Sequence, residues 1–378
     1  MKILITVGIY PPDIGGPASF VPKIANLLSQ NNYEVTVICL SDSKLQDNET
    51  YKVKRILRNQ NLLIRWLKTI ILIMLNGRNA EYIFVNGLPM ESYVANIFLR
   101  KKLVRKIVGD WAWERGRNKG LIEDSFDEFQ LNSHNLHLEI AKFSRGWTAT
   151  KADIVITPSR HLSNVVKNWG VKADRLKVIY NGTRITNNEF NKSNSNIIKL
   201  ITVGRLAPWK NVDSIIEAMY LLKKEDLKIN LIIVGSGPQE LDLKKQVDNL
   251  NLSNEVIFTG QKKYLELKEY YKSADIYIQA SGYEGLPHVL LEAINFDLAI
   301  ISTPIGGTNE ILQDGKNGFI LDLEKGIKPN SKNLKNIILE AVNNKKLTDE
   351  KRVNAKKLLN SKFDESKNLY EYLEILNK

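Results

Sequence analysis

Two carboxylates, Glu284 and Glu292, stand eight residues apart in EGLPHVLLEA, directly after the apolar run DIYIQAS (275–281). Such a run reads as a strand, and ligands of open α/β sheets bind outside the carboxyl ends of their strands. Glu284 falls in a turn containing Gly and Pro, and Glu292 lies two helical turns further on. Carboxylates accept paired hydrogen bonds from vicinal hydroxyls, so a sugar or ribose ring suits this spacing. The competing account is a solvated loop residue and a charge on a helix surface. Two cations, Arg205 and Lys210, flank a Pro-containing turn in VGRLAPWKN (203–211), again just past a strand. Together they fit a diphosphate, whose charge they could offset as it leaves. Read alone, they are equally two exposed basic residues beside a loop.

A third segment, YPPDIGGPASF (10–20), separates the first strand from the helix at 18–30. Gly15 and Gly16 allow close backbone approach, and the helix start offers free N–H groups to an anion or a hydroxyl. Neither this loop nor VGSGP (234–238) carries the full G-x-G-x-x-G spacing, so a dinucleotide reading is weak. A simple tight turn is the rival account of both.

The elements that would position these residues alternate along the whole chain. Short apolar runs occur at 2–8, 34–40, 81–87, 106–110, 152–159 and 177–182. They recur at 197–204, 229–235, 255–260, 275–281, 298–304 and 318–323. Helical stretches such as 18–30 and 91–102 lie between them. Near-continuous apolar strands between amphipathic helices indicate parallel sheets covered on both faces. A chain of 378 residues carrying two such series is expected to form two α/β domains. The boundary is expected near the polar stretch 181–196, giving domains 1–182 and 183–362. The tail 363–378 has the spacing of a surface helix with one buried face.

Charge is uneven. Residues 1–180 carry 26 Lys and Arg against 16 Asp and Glu, whereas the remainder carries 28 against 26. A basic first half suits an anionic partner such as a membrane surface or a phosphorylated acceptor; a lysine-rich background for solubility is the plain alternative. No nucleic-acid module accompanies the charge, so nucleic acid is not expected. The run NLLIRWLKTIILIML (61–75) is too short and too interrupted to span a bilayer. It is expected either to pack on the first domain or to lie on lipid headgroups, with Trp66 at the boundary and Arg65 and Lys68 toward phosphates. The single cysteine, Cys39, excludes a disulfide framework and reads as core packing in a reducing compartment. The opening MKILITVGIY is expected to be a first strand rather than a secretion signal.

Taken in order, the PPDIGG loop, GRLAPWKN and EGLPHVLLEA resemble the family 4 glycosyltransferases of the GT-B fold, over nearly the whole chain. The resemblance implies two Rossmann-like domains with a cleft between them, and the last helix crossing back to the first. It implies a retaining transfer from a UDP-, GDP- or ADP-sugar to a glycan or lipid-linked acceptor, as in cell-surface polysaccharide synthesis. Arg205 and Lys210 would hold the donor diphosphate and Glu292 the ribose hydroxyls. Glu284 would meet the transferred sugar, with the Gly285 and Leu286 backbone beside it, and Gly15 and Gly16 would approach the phosphates. No cofactor and no metal are implied, because fixed cations can neutralise the leaving group. A cytoplasmic site of action follows, peripheral to the inner face of the membrane if the acceptor is lipid-linked.

Two departures from the family pattern matter. Pro287 replaces a residue with a backbone N–H, and KIVGDWAWERG has Gly109 and Asp110 where many members carry a His. Asp110 is therefore expected to face the reacting centre and orient the acceptor or the donor sugar; the competing account is that it caps a turn. The following residues, WAWERGRNKG, are expected to form an acceptor loop, with Trp111 and Trp113 stacking on sugar and Arg115 and Arg117 meeting phosphate. A non-enzymatic sugar-nucleotide-binding subunit is the alternative from another class.

Overall fold

The computed structural model describes residues 1–43, 45–186, 197–225, 227–313 and 315–377. The chain runs β1 (Lys2–Val7), α1 (Gly16–Gln30), β2 (Glu34–Ser41), β3 (Lys52–Leu57), α2 (Leu62–Gly77), β4 (Tyr82–Val85), α3 (Pro89–Leu99) and β5 (Lys102–Lys106). It continues through α4 (Trp111–Asn118), α5 (Phe126–Leu131), α6 (Leu136–Thr150), β6 (Ile154–Thr157), α7 (Arg160–Asn168) and β7 (Leu176–Val178). Next come β8 (Ile198–Val203), α8 (Val212–Lys223), β9 (Ile229–Val234), α9 (Glu240–Asn249), β10 (Val256–Gly260), α10 (Tyr264–Ser273) and β11 (Ile276–Gln279). The rest is α11 (His288–Asn295), β12 (Ala299–Ser302), β13 (Phe319–Ile320), a small hairpin β14 (Leu323–Glu324) with β15 (Lys328–Pro329), α12 (Ser331–Asn343), α13 (Lys345–Lys362) and α14 (Glu365–Leu376).

Among the described residues the strands form two parallel sheets, ordered β3-β2-β1-β4-β5-β6-β7 and β10-β9-β8-β11-β12-β13. Both are doubly wound, and their order reverses between β1 and β4 and between β8 and β11. Those two switch points are where such sheets open a crevice for ligand. The strands are apolar on both faces because helices cover both. In the first sheet Ile3, Ile5, Val37 and Phe84 pack with Val21 and Ile24 of α1; in the second, Leu200, Leu231 and Ile278 pack with Ile215 and Met219 of α8.

Two compact units result. One comprises 1–108, 139–179 and 367–378; the other comprises 109–138 and 180–366. This differs from the expected 1–182 and 183–362, and the difference lies in 109–138. That segment carries Trp113 and Phe126, whose rings join Trp209 and Tyr283 rather than the first sheet. Tyr372, Leu373 and Leu376 of the tail belong to the first unit's core. Part of the expected boundary, 187–196, lies outside the described residues.

Local differences have local causes. The strand expected at 106–110 lies earlier, at Lys102–Lys106, because Asp110 already caps the next helix. WAWERGRN is a helix, α4, not a loop. Helix α2 shows both faces weighed in its sequence: Ile70 and Ile73 are buried, while Leu63, Leu67, Ile71 and Leu75 are each at least half exposed. No helix among the described residues is long and apolar enough to cross a membrane.

Candidate active site

The second switch point gathers the charged residues. Beyond β8 the chain passes Gly204 and Arg205 into a short 3-10 helix, Pro208–Lys210. It then turns at Asn211, in the left-handed region at φ 49°, to start α8. The Asn211 side-chain amide donates to Ala280 O at 2.9 Å and Ile327 O at 2.8 Å. Gly282 N donates to Trp209 O at 2.6 Å. These bonds tie the Lys210 turn to the end of β11, where Glu284 sits. Lys210 Nζ consequently donates to Glu284 Oε1 at 2.5 Å, and Ser281 Oγ donates to the same oxygen at 2.7 Å. Thr202, Gly204, Arg205, Lys210, Ser281 and Glu284 line one cavity. Arg205 is exposed, and no side-chain ion pair to it occurs among the described residues.

Two pairs of glycines hold these loops at distances that no side chain would allow. A Cβ on Gly235 or Gly237 would lie 1.8 Å from Gly204 O or 2.4 Å from Leu206 O. VGSGP therefore braces the Arg205 loop. A Cβ on Gly306 or Gly307 would lie 2.2 Å from Glu284 O or 1.9 Å from Gly285 O. Gly307 N also donates to Glu284 O at 2.9 Å. Gly285 and Leu286 are buried beneath Glu284, and Leu286 O accepts from the Asn181 amide at 3.0 Å. Glu292 stands apart from that lining. One turn into α11, it accepts from Tyr271 Oη at 3.2 Å.

The segment 109–138 brings a further wall. Trp113, 1% exposed, packs against Trp209 at 5.2 Å, Tyr283 at 5.4 Å and Phe126 at 5.6 Å between centroids. Phe126 stacks on Tyr283 at 3.6 Å. Trp113 Nε1 donates to Asp124 O at 3.2 Å, so its polar edge is also used. Trp113 is thus core of the second unit rather than a stacking surface for an acceptor. Trp111 and Arg115 are exposed, while Arg117 donates to Glu123 O at 2.8 Å and stays on its own segment.

Asp110 caps α4. It is fully buried, and Oδ1 accepts from Ala112 N at 3.0 Å and Trp113 N at 3.4 Å, the pattern of a helix N-cap. Its Oδ2 accepts from Gln130 Nε2 at 3.0 Å. A carboxylate so used caps and orients α4. Asp110→Ala is expected to cost about 1 kcal/mol of stability from the cap alone, while Asp110→Asn, an equally good cap, keeps most of it. Urea unfolding of the two variants measures the difference; equal losses would remove the cap as the explanation.

One residue not singled out in the sequence lies within the electrostatic reach of the cations. Glu114 follows Trp113 on α4, and its Oε1 lies 2.8 Å from where a Cβ on Gly109 would be. Its carboxyl is raised above the usual glutamate range, first by burial. Lys210 and Arg205 oppose that shift and Glu284 adds to it. Its only sequence signal is an acidic residue four after a cap in DWAWE.

Gly15 and Gly16 belong to the first unit, at the start of α1 and past the end of β1. Arg58 pairs with Asp13 in their loop, and Arg55 Nη2 donates to Pro11 O at 2.8 Å. The β3 side therefore fixes the loop that carries the two glycines.

Comparison with known proteins fits this architecture. Residues 14–186 match the model described as Glycosyltransferase Family 4, and 183–358 match Glycosyl transferases group 1. An uncharacterized glycosyltransferase of Methanocaldococcus jannaschii is 34% identical, covering 100% of this chain and 98% of its own. The N-acetylgalactosamine-N,N'-diacetylbacillosaminyl-diphospho-undecaprenol 4-alpha-N-acetylgalactosaminyltransferase of Campylobacter jejuni is 23% identical over 84% of this chain and 85% of its own. Among solved structures, HepE of Anabaena in complex with UDP and glucose superposes with a TM-score of 0.80 at 20% identity, covering 100% of this chain and 99% of that one. The fold is GT-B, and the chain belongs to the family 4 glycosyltransferases.

Proposed function

We propose that this glycosyltransferase transfers a sugar from a nucleoside-diphosphate sugar, with retention of anomeric configuration, to a glycan or lipid-linked saccharide. The observation that carries the reading is the cavity at the second switch point, where the free Arg205 guanidinium and the Lys210 ammonium face Glu284 and Ser281. A diphosphate brings negative charge for exposed Arg205 and competes with Glu284 for Lys210, and a sugar brings hydroxyls for the carboxylate. The reaction breaks the bond between the anomeric carbon and the diphosphate oxygen. In a front-face attack the departing phosphate oxygen takes the acceptor's proton as the new glycosidic bond forms. Arg205 and Lys210 stabilise the charge left on the diphosphate, and no metal is invoked. The solved HepE complexes with UDP and with UDP-glucose support the donor class. Thermal unfolding with UDP-, GDP- and ADP-sugars tests it, since a ligand of the folded form raises the melting temperature. No shift with any of them would refute the donor reading. NMR of the product's anomeric centre tests retention, and turnover unchanged by chelator is expected.

A membrane-side acceptor is supported by the outward stripe of α2, Leu63, Leu67, Ile71 and Leu75, with Lys68 exposed beside it. Apolar insertion combined with basic residues suits anionic headgroups. Arg65 contributes less than expected, because its Nη1 donates to Arg58 O at 3.0 Å. The protein is expected to float with anionic vesicles and less so at high salt, and a Leu67→Ser/Ile71→Ser variant to lose that binding. Flotation that is equal for both proteins would exclude the stripe.

A further inference from the structure

We propose that Glu114 is a second sugar-facing carboxylate of the donor site, which recognises hydroxyls of the transferred sugar together with Glu284. The inference rests on the donor reading above. It comes from three charged groups that line one cavity and from a helix, α4, packed against the turn that carries one of them. Arg205 and Lys210 follow β8, Glu284 follows β11, and Glu114 projects from α4. The packing of Trp113 on Trp209 sets α4 against the turn that carries Lys210. Gly109 leaves room for the Glu114 carboxylate: any side chain there would meet its Oε1 at 2.8 Å, with Tyr283 Oη 4.0 Å away. Lys210, Arg205 and Glu284 are the charged groups whose fields reach Glu114.

The charges make recognition of phosphate and of sugar interdependent. Without ligand, Lys210 is held by Glu284 and lies in the field of Glu114, so two cations face two carboxylates. A diphosphate draws Lys210 and Arg205 toward itself. Glu284 and Glu114 are then left with weaker partners in a partly desolvated site, which is costly unless donors replace them. Sugar hydroxyls are such donors, and each carboxylate can accept a pair of them. A bare nucleoside diphosphate brings none to this end of the site. A first-turn carboxylate on α4 suits the helix dipole too, but that role affects stability alone.

The experiment compares wild type, Glu114→Gln and Glu114→Asp by calorimetric titration with UDP, GDP and ADP and with the glucose conjugate of each. Glu114→Gln keeps the shape of the side chain, and Glu114→Asp keeps the charge but withdraws it by one methylene. For the nucleotide that wild type binds, the diphosphate alone is expected to bind both variants within about twofold of wild type. The extra affinity contributed by the glucose is expected to fall about tenfold or more, the scale of a hydrogen bond to a charged group. Melting temperatures should stay close to wild type. An unchanged glucose contribution, or equal losses for the diphosphate and its conjugate, would overturn the role of Glu114 alone. Failure of wild type to bind any of the six ligands would overturn the donor reading, and this inference with it.

Discussion

Lys210→Met is expected to lower kcat/KM for sugar transfer by about 10²–10³-fold, the scale seen when one charge-stabilising donor is removed from a reacting centre. Methionine keeps the length and apolar stem of the side chain while deleting the ammonium that donates to Glu284 at 2.5 Å. Glu284 keeps its bond from Ser281 Oγ at 2.7 Å, so the loop should hold its place. Arg205→Gln is expected to act in the same direction. The double variant should fall short of the product of the two, because both cations serve one developing charge. Initial rates with the donor identified by thermal unfolding provide the measurement. Activity of Lys210→Met within threefold of wild type would remove this ammonium from the reaction.

The second large effect is structural. Trp113→Ala is expected to destabilise the protein by about 3–5 kcal/mol, the usual range for deleting a buried aromatic ring. Trp113 fills the space between Trp209, Phe126 and Tyr283. Two of those flank site residues directly, since Trp209 precedes Lys210 and Tyr283 precedes Glu284. Transfer should therefore fall even at temperatures where the variant remains folded. Urea unfolding measures the first effect and initial rates the second. A loss below about 1 kcal/mol would mean that the ring packs as surface rather than core.

The placing of Arg205, Lys210 and Glu284 just past strand ends was legible because their elements are local. IIKLITVG, DIYIQAS and VLLEAI each show their period within a few residues, and the positions just past strand ends follow from the parallel sheet. The strand β3, KVKRIL, escaped notice because Lys and Arg on an edge strand mask its alternation. Helix α4 escaped for a different reason. Two tryptophans, two arginines and a glycine in WAWERGRN resemble a ligand-binding loop, and only the tertiary contact with Trp209 and Tyr283 explains the aromatic residues. For Asp110 the hydrogen bonds show the cap that its place in the sequence also allows. The bracing of Glu284 by Gly306 and Gly307 could have been suspected from the adjacent glycines in PIGGTNE. Glu114 could not, because spacing along the chain carries no information about which later residues a side chain will meet.

The membership of 109–138 bears on how such enzymes can be recombined. Exchanging halves at the linker near residue 182 would separate Trp113 and Phe126 from the rings they pack against. The hybrid would then join two lineages across a single aromatic cluster whose side chains had not evolved together. A transplant that carries 109–138 along with the C-terminal half keeps that cluster within one parent and adds two junctions.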